Sequence, residues 1–160
     1  MKAKREQYIV FINVGTKESP EWEKIGKDND NMARTLNNEV NSTKNVLGVS
    51  STEITKGNAI TTVDPYKQDS NYKLSKILHD IYFNGSELSE LEHEFLEVSL
   101  YEEPTEAREY SAFKQTGAID LKSHGGDTTG VSDPFDINWV GECVYGTFNP
   151  ATAKFTETTA

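Results

Sequence analysis

Residues 8–14 carry apolar side chains on both alternating sets, Tyr8, Val10 and Ile12 on one and Ile9 and Phe11 on the other. That pattern predicts a strand covered on both faces, ended by Gly15. Residues 16–31 are polar and turn-rich, with Trp22 and Ile25 standing out as an apolar pair that anchors a loop. Alternation then predicts strands over 34–40, 45–55 and 58–63, in the last of which Ile60 and Val63 flank Thr61 and Thr62. Residues 41–56 also fit a second description, a long projecting hairpin, because Asn, Ser, Thr and Gly are interleaved among Val46, Leu47, Val49 and Ile54.

One helix stands out. Leu74, Ile77, Leu78, Ile81 and Tyr82 recur at i, i+3, i+4, i+7 and i+8, Asp69, Ser70 or Asn71 can cap the start, and Asn84-Gly85 supplies a left-handed stop. Ser89 to Glu92 fits a capping box, after which Leu96, Val98 and Leu100 alternate, so a short helical turn passes into a strand. Another strand is predicted over 110–122, with Phe113, Ile119 and Leu121 on one face. Gly125, Gly126 and Gly130 mark a tight turn. Beyond Pro134 the odd positions Phe135, Ile137, Trp139, Cys143 and Tyr145 alternate with polar residues, predicting one buried face that Gly141 interrupts with a bulge. Asn149-Pro150 turns the chain into a last short strand around Phe155. These elements make a mainly β fold, a two-sheet β-sandwich or partly closed barrel with one flanking α-helix. It occupies a single domain, 1–160, with a possible arm at 41–56 and a C-terminal tail at 151–160.

The composition narrows the function by exclusion. No apolar run approaches the roughly 20 residues of a membrane span, and the basic start runs into Glu6-Gln7 and a strand, so an untargeted soluble protein is expected. The only cysteine, Cys143, excludes an internal disulfide and falls on a predicted core face. The net charge is −10, with nine glutamates against one arginine between Ser86 and Tyr110. Such a chain repels phosphate backbones, which argues against direct nucleic-acid binding, and the glutamates read as a solvated face.

No catalytic constellation emerges. His79, His93 and His124 stand in no suggestive spacing with a nucleophile, and His93, within the glutamate run, is expected to pair with a carboxylate. There is no cysteine pair or His-x-x-x-His for zinc. Asp28-Asn29-Asp30-Asn31 is the nearest approach to a calcium loop but lacks its pattern. Gly125-Gly126-Asp127 is too short for a phosphate loop and does not both follow a strand and open a helix, as a nucleotide fingerprint requires. The sequons at Asn41 and Asn84 carry no weight without a secretory route. The expectation is a protein that is not an enzyme and has no catalytic residues, metal or cofactor.

The order of several short segments is informative. Phe11-Ile12-Asn13-Val14-Gly15, Trp22-Glu23-Lys24-Ile25-Gly26, the strands and helix, Glu109-Tyr110-Ser111-Ala112-Phe113-Lys114, Gly125-Gly126-Asp127, Gly141, and Gly146-Thr147-Phe148-Asn149-Pro150 leading to Phe155-Thr156 together resemble the major tail (tail tube) proteins of long-tailed bacteriophages, especially those of Gram-positive hosts. The resemblance spans nearly the whole chain. It implies a structural subunit that self-assembles into stacked hexameric rings, forming a hollow tube for genome delivery. The implied partners are further copies of itself and the tape measure, tail terminator and tail-tip proteins, with DNA passing through the bore without specific binding and no membrane. The implied location is the virion tail, and the host cytoplasm during assembly. An acidic bore would discourage DNA from sticking. The arm at 41–56 and the tail at 151–160 are the segments expected to touch a neighbouring copy. An inner tube of a contractile tail, tailocin or secretion system is the alternative of the same class. A calcium- or glycan-dependent β-sandwich binding module is the alternative of another class, and it would need exposed aromatic platforms, for which Trp22 and Trp139 are the only tryptophans.

Overall fold

The computed structural model describes residues 2–158. Its strands are β1 (Tyr8–Asn13), β2 (Trp22–Ile25), β3 (Arg34–Thr35), β4 (Glu39–Lys44), β5 (Ser50–Thr55), β6 (Ile60–Val63), β7 (Glu92–Ser99), β8 (Tyr110–Leu121), β9 (Gly125–Asp127), β10 (Gly130–Ser132), β11 (Phe135–Asn149) and β12 (Lys154–Glu157). The helix α1 (Lys73–Phe83) lies between β6 and β7. Eight strands form one antiparallel sheet in the order β2-β1-β7-β8-β11-β6-β3, with β12 on the second half of β11, while β4-β5 and β9-β10 are separate two-stranded ribbons. The fold is mainly β with one helix, and the main sheet is a curled half-barrel. The curl is visible in single contacts: Arg34 at the end of the sheet lies beside Glu97 of β7 and donates to Gln115 Oε1 of β8, although β11 and β6 intervene in the sheet order.

The double-sided apolar pattern of β1 is explained by two cores. Val10 and Ile12 join Ile25, Phe95, Ile119, Phe135, Ile137 and Trp139 under the buried helix residues Leu74 and Leu78. Ile9 and Phe11 face the other way, with Leu96, Val98, Ala112 and Phe148. The rings of Phe11 and Phe148 are 5.1 Å apart although two strands separate β1 from β11, so the sheet closes toward this side as well. Burying each of the larger side chains contributes roughly 1.5–3 kcal/mol.

Trp22 and Ile25, predicted as loop anchors, belong to a strand. They are the ends of β2, paired with Asn13 and Val10, and they reach opposite cores. Four residues were too few for alternation to stand out. The turn before β2 is closed by the buried Asn13, whose Oδ1 accepts from the amides of Gly15 at 2.9 Å and Glu21 at 3.0 Å. The 34–40 strand is shorter than predicted, because β3 has two residues and the chain then leaves the sheet. The 45–55 strand is instead the turn and return arm of a hairpin, β4-β5, as the second description of 41–56 has it.

The helix forms over the predicted residues, yet its N-terminus is capped differently. Tyr72 occupies the cap position without a side-chain bond, and Glu23 of β2 accepts from the amides of Lys73 at 2.9 Å and Leu74 at 3.2 Å. A carboxylate there satisfies two orphan donors and opposes the positive helix end. Tyr82, predicted on the buried stripe, is exposed. The C-terminal stop holds: Asn84 donates to Asp80 O, and Gly85 has φ +63°. A single 3-10 turn, Leu88–Leu91, leads into β7 as expected.

In β11 the predicted face is buried at Phe135, Ile137 and Trp139 but not beyond. The ladder with β8 is broken between Val140 and Val144, where Gly141 adopts φ +73°. That left-handed conformation admits glycine readily. Past the bulge Cys143 is only half-buried and Tyr145 is 64% exposed, because the helix that covers the first half does not extend over the second. The core face shifts to Phe148. The tail folds back as β12 on β11, with Phe155 packed on the second core. Thr158 donates its amide to Tyr145 O at 3.0 Å, and the rest of the predicted tail lies outside the described residues.

Candidate assembly surfaces

The β4-β5 hairpin is a finger of six paired positions, so it projects roughly 20 Å. Every residue from 35 to 56 is exposed. Ser42 and Thr52 hydroxyls meet at 3.2 Å and Thr43 and Ser51 at 3.0 Å, cross-strand pairs that stiffen the ribbon without a core. The apex is ordered by Asn45, whose Oδ1 accepts from the amides of Leu47 at 2.9 Å and Val49 at 3.0 Å. This rigid turn presents Val46 at 102% exposure, with Leu47 and Val49 beside it, and Val40 and Ile54 are paired but exposed lower down. Scattered exposed hydrophobics are ordinary, whereas here three stand together on a preorganised apex.

At the root of the finger lies a groove of about 730 Å³, reached by Leu36, Asn38 and Lys56 and floored by Trp139 and Phe113. An adjoining hollow of about 510 Å³ shares Arg34, Glu97, Phe113 and Tyr145. Arg34 is the hub. Its guanidinium lies 4.4 Å from the Trp139 ring and 5.6 Å from the Phe113 ring, and Nη1 is 4.0 Å from Glu97 Oε1. Gln115 accepts from Arg34 Nη2, donates to Gly141 O at 2.9 Å, and accepts from Cys143 Sγ at 3.4 Å. The groove is thus braced to the β11 bulge. Burial pushes the Glu97 carboxyl up, against the opposing pull of Arg34 and Arg5. The alternation of Leu96, Val98 and Leu100 conceals this, because it makes the odd positions of β7 read as solvent-facing while Phe95 and Glu97 turn inward.

Two of the histidines stack on aromatic rings. His79 is exposed on α1, stacked on Phe83 at 4.5 Å with Nδ1 3.5 Å from Asp80. His124 stacks on Tyr82 at 4.3 Å and points Nδ1 at the fully buried Asp133, 2.5 Å away. His93 does not take the expected carboxylate at Nε2, which is buried and has no hydrogen-bond partner among the described residues, and burial lowers its pKa. The folded state resists the proton that the unfolded chain accepts near pH 6.5. Stability contributed by neutral His93 is therefore lost as pH falls below about 6.5, toward its lower folded pKa. Urea midpoints of the wild type and His93→Leu should diverge through that window, the wild type falling more steeply; parallel curves would contradict this.

Asp28, the head of the possible calcium loop, is already engaged. Its Oδ2 meets Lys27 Nζ at 2.5 Å and the Lys67 amide at 2.9 Å. Burial pushes its carboxyl up, but these partners outweigh that and hold it below the usual range. Among the described residues no group of three or more His, Cys, Asp or Glu side chains is placed to hold a metal. Trp139 is buried and Trp22 packs on the second core, so neither tryptophan is an exposed platform.

The glutamate run does not form one face. Glu87, Glu90 and Glu92 lie at the start of β7, and Glu102, Glu103, Glu106 and Glu109 follow its other end, roughly 25 Å away. Between them Glu94 pairs with Lys114 at 3.3 Å and Glu97 turns into the groove. Glu102 and Glu109 accept from Ser111 at 3.1 Å and Thr147 at 2.9 Å, tying the β7-β8 connection to the sheet. No helix is long and apolar enough to cross a membrane among the described residues. Compared with known families and curated proteins, the chain matches no family model and no curated sequence.

Proposed function

We propose that this protein is a structural subunit of a phage tail tube, assembling into stacked hexameric rings whose bore passes DNA without binding it specifically. The observation that carries this reading is the finger: a preorganised hairpin with an apolar apex and no packing role in its own chain. A curled antiparallel sheet with one flanking helix, and the segment order that resembles the major tail proteins, support the same reading. The net charge of −10 is multiplied sixfold in such a ring and opposes DNA adhesion. Heterologous contacts repeated around an axis close the ring, and rings stack through the same kind of contact. Tape measure, terminator and tail-tip proteins are the proposed partners, and the virion tail the proposed location.

Negative-stain microscopy of the purified protein, with size-exclusion chromatography over a wide concentration range, tests this. Rings or hollow tubes that appear with rising concentration are expected. A monomer at every concentration and salt would overturn the reading.

A further inference from the structure

We infer that Asn84 is a site of spontaneous backbone modification, at which the side-chain amide is lost as ammonia and the residue becomes aspartate or isoaspartate. Asn84 is the one asparagine in the chain followed by glycine. Both residues are exposed, and among the described residues neither the Asn84 side chain nor the Gly85 amide has a hydrogen-bond partner. Nothing lies within 4 Å of the place that a Cβ on Gly85 would take. Other asparagines are held differently. Asn13 and Asn45 each accept two backbone amides at Oδ1, and Asn149 precedes Pro150, which has no amide proton to give up. At Asn84 a free side-chain carbonyl, a free amide and open space stand together.

The reaction balances with water alone. The Gly85 nitrogen attacks Asn84 Cγ; as the new C–N bond forms, the Cγ–Nδ2 bond breaks and ammonia leaves with the amide proton, closing a cyclic imide. Water then opens the ring at Cγ to give aspartate, or at the Asn84 main-chain carbonyl to give isoaspartate, in which the backbone runs through the side chain. The attacking species is the deprotonated amide, so the rate rises with pH. The local backbone leaves the ring room to close. Asn84 sits at φ −105° and ψ 0° just beyond the last turn of α1, and the glycine that follows rotates more freely than any residue with a Cβ. Either product changes the helix end. It adds a negative charge at the C-terminus of α1, where the macrodipole disfavours it, one turn after Asp80, whose carboxylate repels it. Isoaspartate also lengthens the main chain at the stop that Gly85 makes with φ +63°.

The test follows the full chain through incubation in mildly alkaline and mildly acidic buffer, with tryptic peptides read by mass spectrometry. Peptide 77–108 contains no other asparagine and no glutamine, so a gain of one mass unit in it reports this site alone. Peptide 35–44 is the comparison: its Asn37, Asn38 and Asn41 are exposed, but none precedes glycine. Peptide 77–108 should gain mass roughly fivefold faster than 35–44, more quickly in the alkaline buffer, and as two chromatographic products. Asn84→Gln, whose longer side chain must close a larger ring, should remove the gain. The modified fraction, separated from the unmodified by anion exchange, should melt about 1–4 °C lower. Equal rates in the two peptides, a gain that persists in Asn84→Gln, or a single product forming equally fast in both buffers would overturn the proposal. Identical melting of the two fractions would overturn its effect on α1.

Discussion

Replacing residues 40–54 by a short Gly-Gly link should abolish assembly while leaving the fold intact. The fold survives because no residue of the finger is buried or joins either core, and shortening a surface connection changes loop-closure entropy by only about 0.6 kcal/mol per halving of its length. At roughly 2–4 °C per kcal/mol for a chain of this size, the melting temperature should move by no more than a few degrees. Assembly is affected on another scale. Seating two of the three apex side chains in a neighbour contributes roughly 3–6 kcal/mol, which is about two to four orders of magnitude in the association constant of each contact. Sedimentation velocity and microscopy over a matching concentration range would read this directly. Assembly of the shortened chain at the wild-type concentration would show that the finger is not a contact.

That asymmetry between fold and assembly also describes what the sequence discloses. The periodicity of α1 and the double-sided pattern of β1 were legible because each reflects burial within one chain, and burial writes a period. The bulge at Gly141 was legible for the same reason, through an interrupted alternation. Arg34, Glu97 and Tyr145 were not. Two are charged residues in strands, which read as solvent-facing, and they meet only because the sheet curls until β3 approaches β7 and β8. Tyr145 continued an apolar alternation whose cover ends at the bulge. The helix cap was missed because Glu23 lies fifty residues before Lys73 and is brought there by β2. The acidic run, continuous in sequence, is divided by β7 because a strand carries its two ends apart.

Asp133→Ala should be among the most destabilising single substitutions in the protein. Asp133 is fully buried before β11, and its carboxylate is a junction: Oδ1 lies 2.5 Å from His124 Nδ1, Oδ2 accepts from Gln68 Nε2, and its own amide donates to Tyr66 O at 2.8 Å. His124 in turn lies against Tyr82 and Phe83 of α1, so one side chain fastens the β9-β10 ribbon and the residues before the helix to the helix end. Truncation leaves the half-buried Gln68 amide and the His124 imidazole without their acceptor and opens a cavity. Leaving a donor that faces the interior without its acceptor typically costs about 1–3 kcal/mol, so the two donors together correspond to roughly 4–24 °C in melting temperature for this chain length. Asp133→Asn keeps the volume and one acceptor oxygen, so it should lose distinctly less, and His124→Ala should fall between, because Gln68 still reaches the carboxylate. Thermal melts of the three variants at pH 7.5 provide the ranking. A loss below about 2 °C for Asp133→Ala would mean that the junction is replaced by water at little cost, and that the ribbon is held to the helix by aromatic packing alone.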